Sequence, residues 1–326
     1  MTLNDDAAPE VLPAAKFENP DWTAKGERRA SVALDRLATL WINTGTLCNI
    51  TCQNCYIESS PENDRLAYIT VAETIPFLDE AKALGTNEIG FTGGEPFMNP
   101  DVLEILDEAL SRGFDVLVLT NAMLPMQRPR LKQGLVALHA KYGAKLMMRV
   151  SLDHYGQELH EKERGADTWV KALAGIDWLA ANGFPLAIAG RTCWHEDDAA
   201  MRQGFASLIA AHGWPIDPQN RQQLMLFPEM DGRFNVPEIT TACWGILKKS
   251  PSQMMCASSR MVVKRKASAA PVVLPCTLLP YDPAFEMGPT LTAAALADGS
   301  MFDQGAVKLC HPHCAKFCVL GGGSCS

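Results

Sequence analysis

Cys48-Asn-Ile-Thr-Cys52-Gln-Asn-Cys55 places three thiols within eight residues. Three thiolates from one short loop can ligate three irons of a cubane [4Fe–4S] cluster, leaving the fourth iron open to a small molecule. A structural zinc site wants four closed ligands, and no fourth Cys or His lies nearby. The alternative is a zinc site completed from elsewhere in the chain. The eleven cysteines are too uneven in spacing for a disulfide framework, and their short-range clusters fit metal ligation better.

A second group stands near the C-terminal end of the sequence. Cys256 and Cys276 bracket the run Val262–Lys266, and Cys314 and Cys318 follow in Cys310-His-Pro-His-Cys314-Ala-Lys-Phe-Cys318. Two distant pairs that converge would make a four-ligand site. His311 and His313 offer a zinc knuckle as the alternative. Cys310, Cys325 and Cys243 are left over, and the isolated Cys193 reads as a plain buried thiol, as does Cys243.

These groups need strands and helices to position them. Strand-length apolar runs lie at 39–44, 88–92, 115–120, 146–152, 186–191 and 224–227, with helix-like segments at 71–84, 100–112, 169–182 and 201–212 between them. Such alternation predicts parallel βαβ units. Six of them predict an α/β fold, a partial (β/α)6 TIM-like barrel. After about Gly232 the alternation stops and Cys, Pro and Gly accumulate. The expected organisation is a flexible tail over 1–35, a core barrel over 36–235 and a small loop-rich C-terminal iron–sulfur module over 236–326.

Polar residues gather at the expected strand ends, where α/β barrels build their sites. Thr92-Gly93-Gly94-Glu95-Pro96 closes the second strand and Thr120-Asn121-Ala122 the third. Arg149, Ser151 and Asp153 share one face at the end of the fourth, and Arg191 ends the fifth. Three polar residues in a row on a buried face need partners, which a ligand-lined interior supplies.

The formal net charge of −8 argues against a nucleic-acid protein. No apolar run reaches the 18–20 residues of a membrane span, and residues 1–21 lack a signal-peptide pattern. A cytoplasmic location, where thiols stay reduced, is expected, with no membrane partner.

Over about residues 39–230 the sequence resembles the radical S-adenosylmethionine (SAM) superfamily. The resemblance rests on the Cys48/Cys52/Cys55 spacing, on Gly93-Gly94-Glu95-Pro96 beginning 38 residues beyond Cys55, and on the run His160–Gly165. It implies that the open iron chelates SAM, and that one electron cleaves SAM to methionine and a 5′-deoxyadenosyl radical that abstracts hydrogen from a substrate. It implies that Gly93, Gly94, Glu95 and Pro96 receive the methionyl amino group. Thr120 and Asn121 would lie near the adenosyl part, and Ser151 and Asp153 would contact SAM. Arg191 would offer its guanidinium to the SAM carboxylate. Asn54 stands where relatives often carry an aromatic residue, and Tyr56 supplies ring surface instead. Ala122 replaces a usual glycine. The later cysteines resemble the SPASM/twitch extensions, which implies an auxiliary [4Fe–4S] cluster on Cys256, Cys276, Cys314 and Cys318. A small-molecule substrate and an external electron donor such as flavodoxin or ferredoxin are expected. The alternatives are a peptide-modifying enzyme of this superfamily and an iron–sulfur electron-transfer or scaffold protein without radical chemistry.

Overall fold

The apolar runs that alternate with amphipathic segments form parallel strands wrapped by helices. The computed structural model describes residues 16–192, 194–228 and 235–321. In chain order the elements are β1 (Ser31–Val32), β2 (Thr39–Asn43), α1 (Val71–Ala83), β3 (Glu88–Thr92), α2 (Val102–Ser111), β4 (Asp115–Thr120), α3 (Leu124–Gln127) and α4 (Pro129–Tyr142). They continue with β5 (Leu146–Ser151), α5 (Gln157–Arg164), α6 (Thr168–Ala181), β6 (Leu186–Arg191), α7 (Asp198–His212) and β7 (Leu224–Phe227). The last strands are β8 (Ser259–Val263), β9 (Val272–Leu274), β10 (Phe302–Asp303) and β11 (Ala306–Lys308).

Eight strands form one sheet in the order β7-β6-β5-β4-β3-β2-β8-β9. The six from β2 to β7 pair in parallel with their sequence neighbours, as expected for an open barrel of βαβ units. Period-2 alternation sorts their side chains. Leu40, Ile42, Val116, Val118, Met148 and Val150 join the large core that the helices cover. Trp41 and Leu117, with Leu119 and Met147 against them, form a second cluster on the opposite, concave face with Met261, Val263 and Leu274. Trp41 fills the barrel there because β3 offers no side chain: a Cβ on Gly90 would come within 2.4 Å of the indole.

Helix starts are fixed by local chemistry. Thr70 accepts from the Glu73 N–H while the Glu73 carboxylate accepts from the Thr70 N–H, a capping box that begins α1. Asp197 accepts from Ala200 N–H at 2.7 Å and begins α7.

Two regions lie differently from the sequence expectation. The expected barrel ends at the sixth strand, but β8 pairs in parallel with β2 and β9 runs antiparallel to β8. The buried strand Ser259–Val263 covers the free edge of β2, so part of 236–326 extends the core sheet. Within the expected tail, residues 16–35 are anchored through a few buried residues: Thr23, Arg29, Ala30 and Val32. Buried Arg29 donates to Glu238 (2.6 Å), to the Trp22 and Asn19 carbonyls (3.0 Å each) and to the Leu309 carbonyl (3.3 Å). β1 pairs with β11. A buried guanidinium demands such partners, and the chain ends supply them.

Candidate functional site

The loop after β2 carries the first three cysteines and leans on the end of β3. Gly94 N–H donates to the Gly45 carbonyl (2.8 Å) and Glu95 N–H to the Leu47 carbonyl (3.1 Å). The approach is so close that a Cβ on Gly94 would lie 2.2 Å from Leu47 O, and one on Gly93 2.5 Å from Gly45 O, with Gly93 at φ +147°. The two glycines are therefore required by the contact that seats the cysteine loop.

Cys48, Cys52 and Cys55 line one cavity of about 160 Å³ together with Tyr56, Thr92, Gly93, Gly94, Thr120, Asn121, Arg149, Ser151, Asp153, Arg164, Arg191 and Phe227. Eleven residues that the sequence offered as cluster or SAM ligands thus meet at the carboxyl end of the sheet: the three cysteines, Tyr56, Gly93, Gly94, Thr120, Asn121, Ser151, Asp153 and Arg191. Glu95 and Pro96 are not on that lining. Glu95 is buried behind it and accepts from the Thr120 hydroxyl (2.8 Å), Asn121 N–H (2.8 Å) and Phe97 N–H (3.2 Å). Burial pushes its carboxyl up to about 7 against those donors. It ties the end of β3 to the end of β4. Pro96 begins the short 3-10 turn that follows.

Asn121 reaches across to the cysteine loop, donating to Asn49 Oδ1 at 2.9 Å and to Cys48 Sγ at 3.9 Å. Burial, then Glu95, pushes the Cys48 thiol up to about 12, and burial pushes Cys52 up to about 11 while Arg164 opposes it. Thiols so disposed are poor nucleophiles. A bound metal deprotonates a ligating thiol outright, and the buried Arg164 cation beside Cys48 and Cys52 offsets the charge that results.

The end of β5 is an ion network. Asp153 takes the Arg164 fork through Nε and through Nη2 (3.3 Å), and Arg191 Nε lies 3.3 Å away. Burial alone would raise the Asp153 carboxyl; Arg164 and Arg191 outweigh it and hold it below the usual carboxylate range. Arg191 also approaches Glu163 (3.5 Å) and donates to the Asn54 carbonyl (3.0 Å).

The second cysteine group also converges. Cys256, Cys276, Cys314 and Cys318 line one narrow void with His313, Met254, Met255, Leu278 and Leu279. Burial raises Cys256 to about 12, and it raises Cys314 as well. Buried Arg260 stands beside Cys256 and Cys276 and donates to the Cys256 and Ser259 carbonyls at 2.7 Å each. Cys314–Leu320 is a π-helical turn, which sets Cys314 and Cys318 on one side of the void. His313 donates from Nδ1–H to the Leu278 carbonyl (3.1 Å); His311 packs on Phe285 instead. The Cys310 thiol donates to the Phe17 and Asn19 carbonyls (3.2 and 3.4 Å), and Cys243 accepts from Thr240 N–H (3.4 Å). Cys193 and Cys325 lie outside the described residues.

Among the described residues no three His, Cys, Asp or Glu side chains gather tightly enough for a single metal ion. A cubane is held at its corners and sets its thiolates apart around it. The two donor sets, three thiols open to a polar cavity and four closed in an apolar void, fit clusters of the open and closed kinds.

The model of the radical SAM superfamily matches residues 42–201. Residues 42–201 are a radical SAM domain. Its C-terminal region is cysteine-rich in the manner of the SPASM/twitch extensions. Known relatives include the antilisterial bacteriocin subtilosin biosynthesis protein AlbA of Bacillus subtilis (strain 168), 27% identical over 56% of this chain and 40% of the relative. The AdoMet-dependent heme synthase of Methanosarcina barkeri (strain Fusaro / DSM 804) is 30% identical over 43% of this chain and 38% of the relative. The chain thus spans about two-fifths of these relatives' length. Among solved structures, SuiB of Streptococcus suis bound to S-adenosylmethionine superposes with a TM-score of 0.58 at 12% identity, over 81% of this chain and 66% of that one. Native anSMEcpe with bound AdoMet gives 0.56 at 15%, over 80% of each. Both share the radical SAM partial-barrel fold. No described helix is long and apolar enough to cross a membrane.

Sequence reasoning missed Phe227 as a site residue, and it noted Glu163 and Arg164 only within the run His160–Gly165. Strand alternation finds residues that point inward from strands. Arg164 and Glu163 come from α5, whose docking no periodicity announces.

Proposed function

We propose that this chain is a radical enzyme that cleaves SAM reductively and abstracts hydrogen from a substrate held in the barrel mouth. The observation that carries it is the convergence of three cysteine thiols, a glycine cradle and polar strand ends on one cavity. When bound, the open-site [4Fe–4S] cluster supplies the electron that cleaves SAM to methionine and a 5′-deoxyadenosyl radical. Cys48, Cys52 and Cys55 hold that cluster. The Gly93–Gly94 backbone, Thr120, Asn121, Ser151 and Tyr56 frame SAM, and Asp153, paired with Arg164 and Arg191, stands on the same wall. Glu95 and Pro96 shape the turn from behind.

In this reading residues 36–235 form the radical core. Cys256, Cys276, Cys314 and Cys318 hold an auxiliary [4Fe–4S] cluster within 236–326. The enzyme works in the cytoplasm, where an external flavodoxin- or ferredoxin-like donor supplies electrons. A small organic substrate suits a cavity of this size. A peptide is the second reading, favoured by β7, an edge strand whose Phe227 lies on the cavity wall and which could pair with an extended chain.

Anaerobically reconstituted, dithionite-reduced protein is expected to form 5′-deoxyadenosine from SAM, slowly without substrate. The Cys48→Ala/Cys52→Ala/Cys55→Ala variant should form none. Absence of deoxyadenosine from wild type under every reductant would leave an iron–sulfur scaffold as the function. A Cys276→Ala/Cys318→Ala variant should keep SAM cleavage and lose product formation.

A further inference from the structure

Asn54 sits between Cys52 and Cys55, and its surroundings assign it a partner that SAM binding does not explain. Glu163 of α5 grips the loop at three points. Its backbone carbonyl accepts from Gln53 N–H at 2.7 Å. Its Oε1 accepts from Asn54 N–H and its Oε2 from the Asn54 side-chain amide, each at 3.0 Å. Arg191, from the end of β6, closes the arrangement by donating to the Asn54 carbonyl at 3.0 Å and lying 3.5 Å from Glu163. Asp153 in turn holds Arg191. Glu163 is buried, so the carboxylate has little water to turn to.

We infer that Glu163 and Arg191 are positioning residues that clasp the Gln53–Asn54 backbone and so set Cys52 and Cys55 for iron. Every hydrogen-bonding group of the Asn54 backbone, and its side-chain amide, is taken up by these two residues. The clasp bridges α5 and β6, two elements far from the loop in sequence, and a charged acceptor makes its bonds stronger than neutral ones. It also places Arg191: the guanidinium lies beside Asp153 and Glu163 and bonds the loop, while its buried Nη1 has no hydrogen-bond partner among the described residues. Asn54 is then the residue this clasp requires at a position where an aromatic side chain could make no such bonds.

The inference rests on the reading that Cys48, Cys52 and Cys55 hold a cluster. Its test follows the rate at which reconstituted full-length protein loses iron to a chelator under anaerobic conditions. Asn54→Asp sets a carboxylate against the Glu163 carboxylate. Glu163→Ala removes the clasp. Each is expected to lose the iron of the first cluster about tenfold faster than wild type, the scale of losing hydrogen bonds to a charged group. Asn54→Asp combined with Glu163→Gln lets an amide donate across the same contact and keeps the net charge. That double variant is expected to return the rate to within about threefold of wild type, the non-additivity that marks a direct pair. Iron bound by the second cysteine group should leave at the wild-type rate throughout, which reports that the chain is folded. Single variants that hold iron as firmly as wild type would overturn the inference, as would a double variant no better than Asn54→Asp. Iron that is indifferent to Cys48→Ala/Cys52→Ala/Cys55→Ala in otherwise wild-type protein would overturn the cluster reading itself.

Discussion

Gly175 of α6 lies against the carbonyl of Ala122: a Cβ at Gly175 would stand 2.0 Å from Ala122 O and 2.8 Å from Ala122 Cβ. Ala122 itself is in the left-handed region at φ +57°, unusual for a residue with a side chain. The turn that ends β4 therefore keeps a glycine-like backbone although the residue is alanine, and the room for its methyl comes from α6.

Gly175→Ala is expected to destabilise the protein by about 2–3 kcal/mol, the scale of overpacking a tight core contact. α6 must move away from the turn that carries Thr120 and Asn121, so SAM affinity should fall as well. Ala122→Gly relieves the backbone but loses a buried methyl and should change stability by less than about 1 kcal/mol. Urea unfolding of the two variants beside wild type checks both statements.

His160 is fully buried, packs edge-on against Trp169 at 5.4 Å, and has no hydrogen-bond partner on either ring nitrogen among the described residues. Burial, then Arg164, lowers its pKa from 6.5 to about 4. Between those values the unfolded chain binds a proton that the folded ring refuses. Stability should therefore fall as pH drops through 6.5 and level off near 4, by at most about 3 kcal/mol from this group. His160→Leu should flatten that part of the curve, as thermal melts from pH 4 to 7 would reveal.

Arg260 should prove essential to the second cysteine group. It is buried, and its fork bonds the Cys256 and Ser259 carbonyls and the Gly305 carbonyl (3.3 Å). Lysine cannot reproduce that fork. Iron analysis of reconstituted wild type is expected to give about eight irons per chain, and of Arg260→Lys about four, with the first cluster retained.

Tyr281 couples the C-terminal region to the first cysteine loop. Its hydroxyl donates to the Ile57 carbonyl and accepts from the Asn63 amide (3.0 Å), while the Arg65 guanidinium lies 3.6 Å over its ring. Tyr281→Phe removes both hydroxyl bonds, while the Asn63 amide keeps the Glu58 carbonyl (2.8 Å), and should cost about 1 kcal/mol. Hydrogen exchange at Glu58 and Asn63 should quicken more than exchange in α1.

The six core strands and their helices were legible because period-2 and 3.6 patterns report burial, and burial in βαβ units is local. The three cysteines were legible because short spacing is itself the ligand geometry. The polar ends of β3 to β6 followed from the same strand periodicity, which sends Ser151 inward with Arg149. Residues of the cavity that sit on strands or in the cysteine loop were therefore within reach of the sequence.

Other features depended on contacts between segments remote in sequence. The pairing of β8 with β2 joins residues about two hundred positions apart, and no local pattern states which edge an apolar run will cover. Arg29 finding Glu238 packed residues that read as a tail. The direction of Glu95, behind the cavity rather than on it, follows from donors that β4 brings to it. Glu163 reaching Asn54 depends on how α5 docks. The sequence determined the chemistry of the thiols and the elements that carry them, because those are properties of residue type and short-range periodicity. Tertiary structure alone decided which charges face one another, because buried charges are set by the partners that folding brings within hydrogen-bond reach.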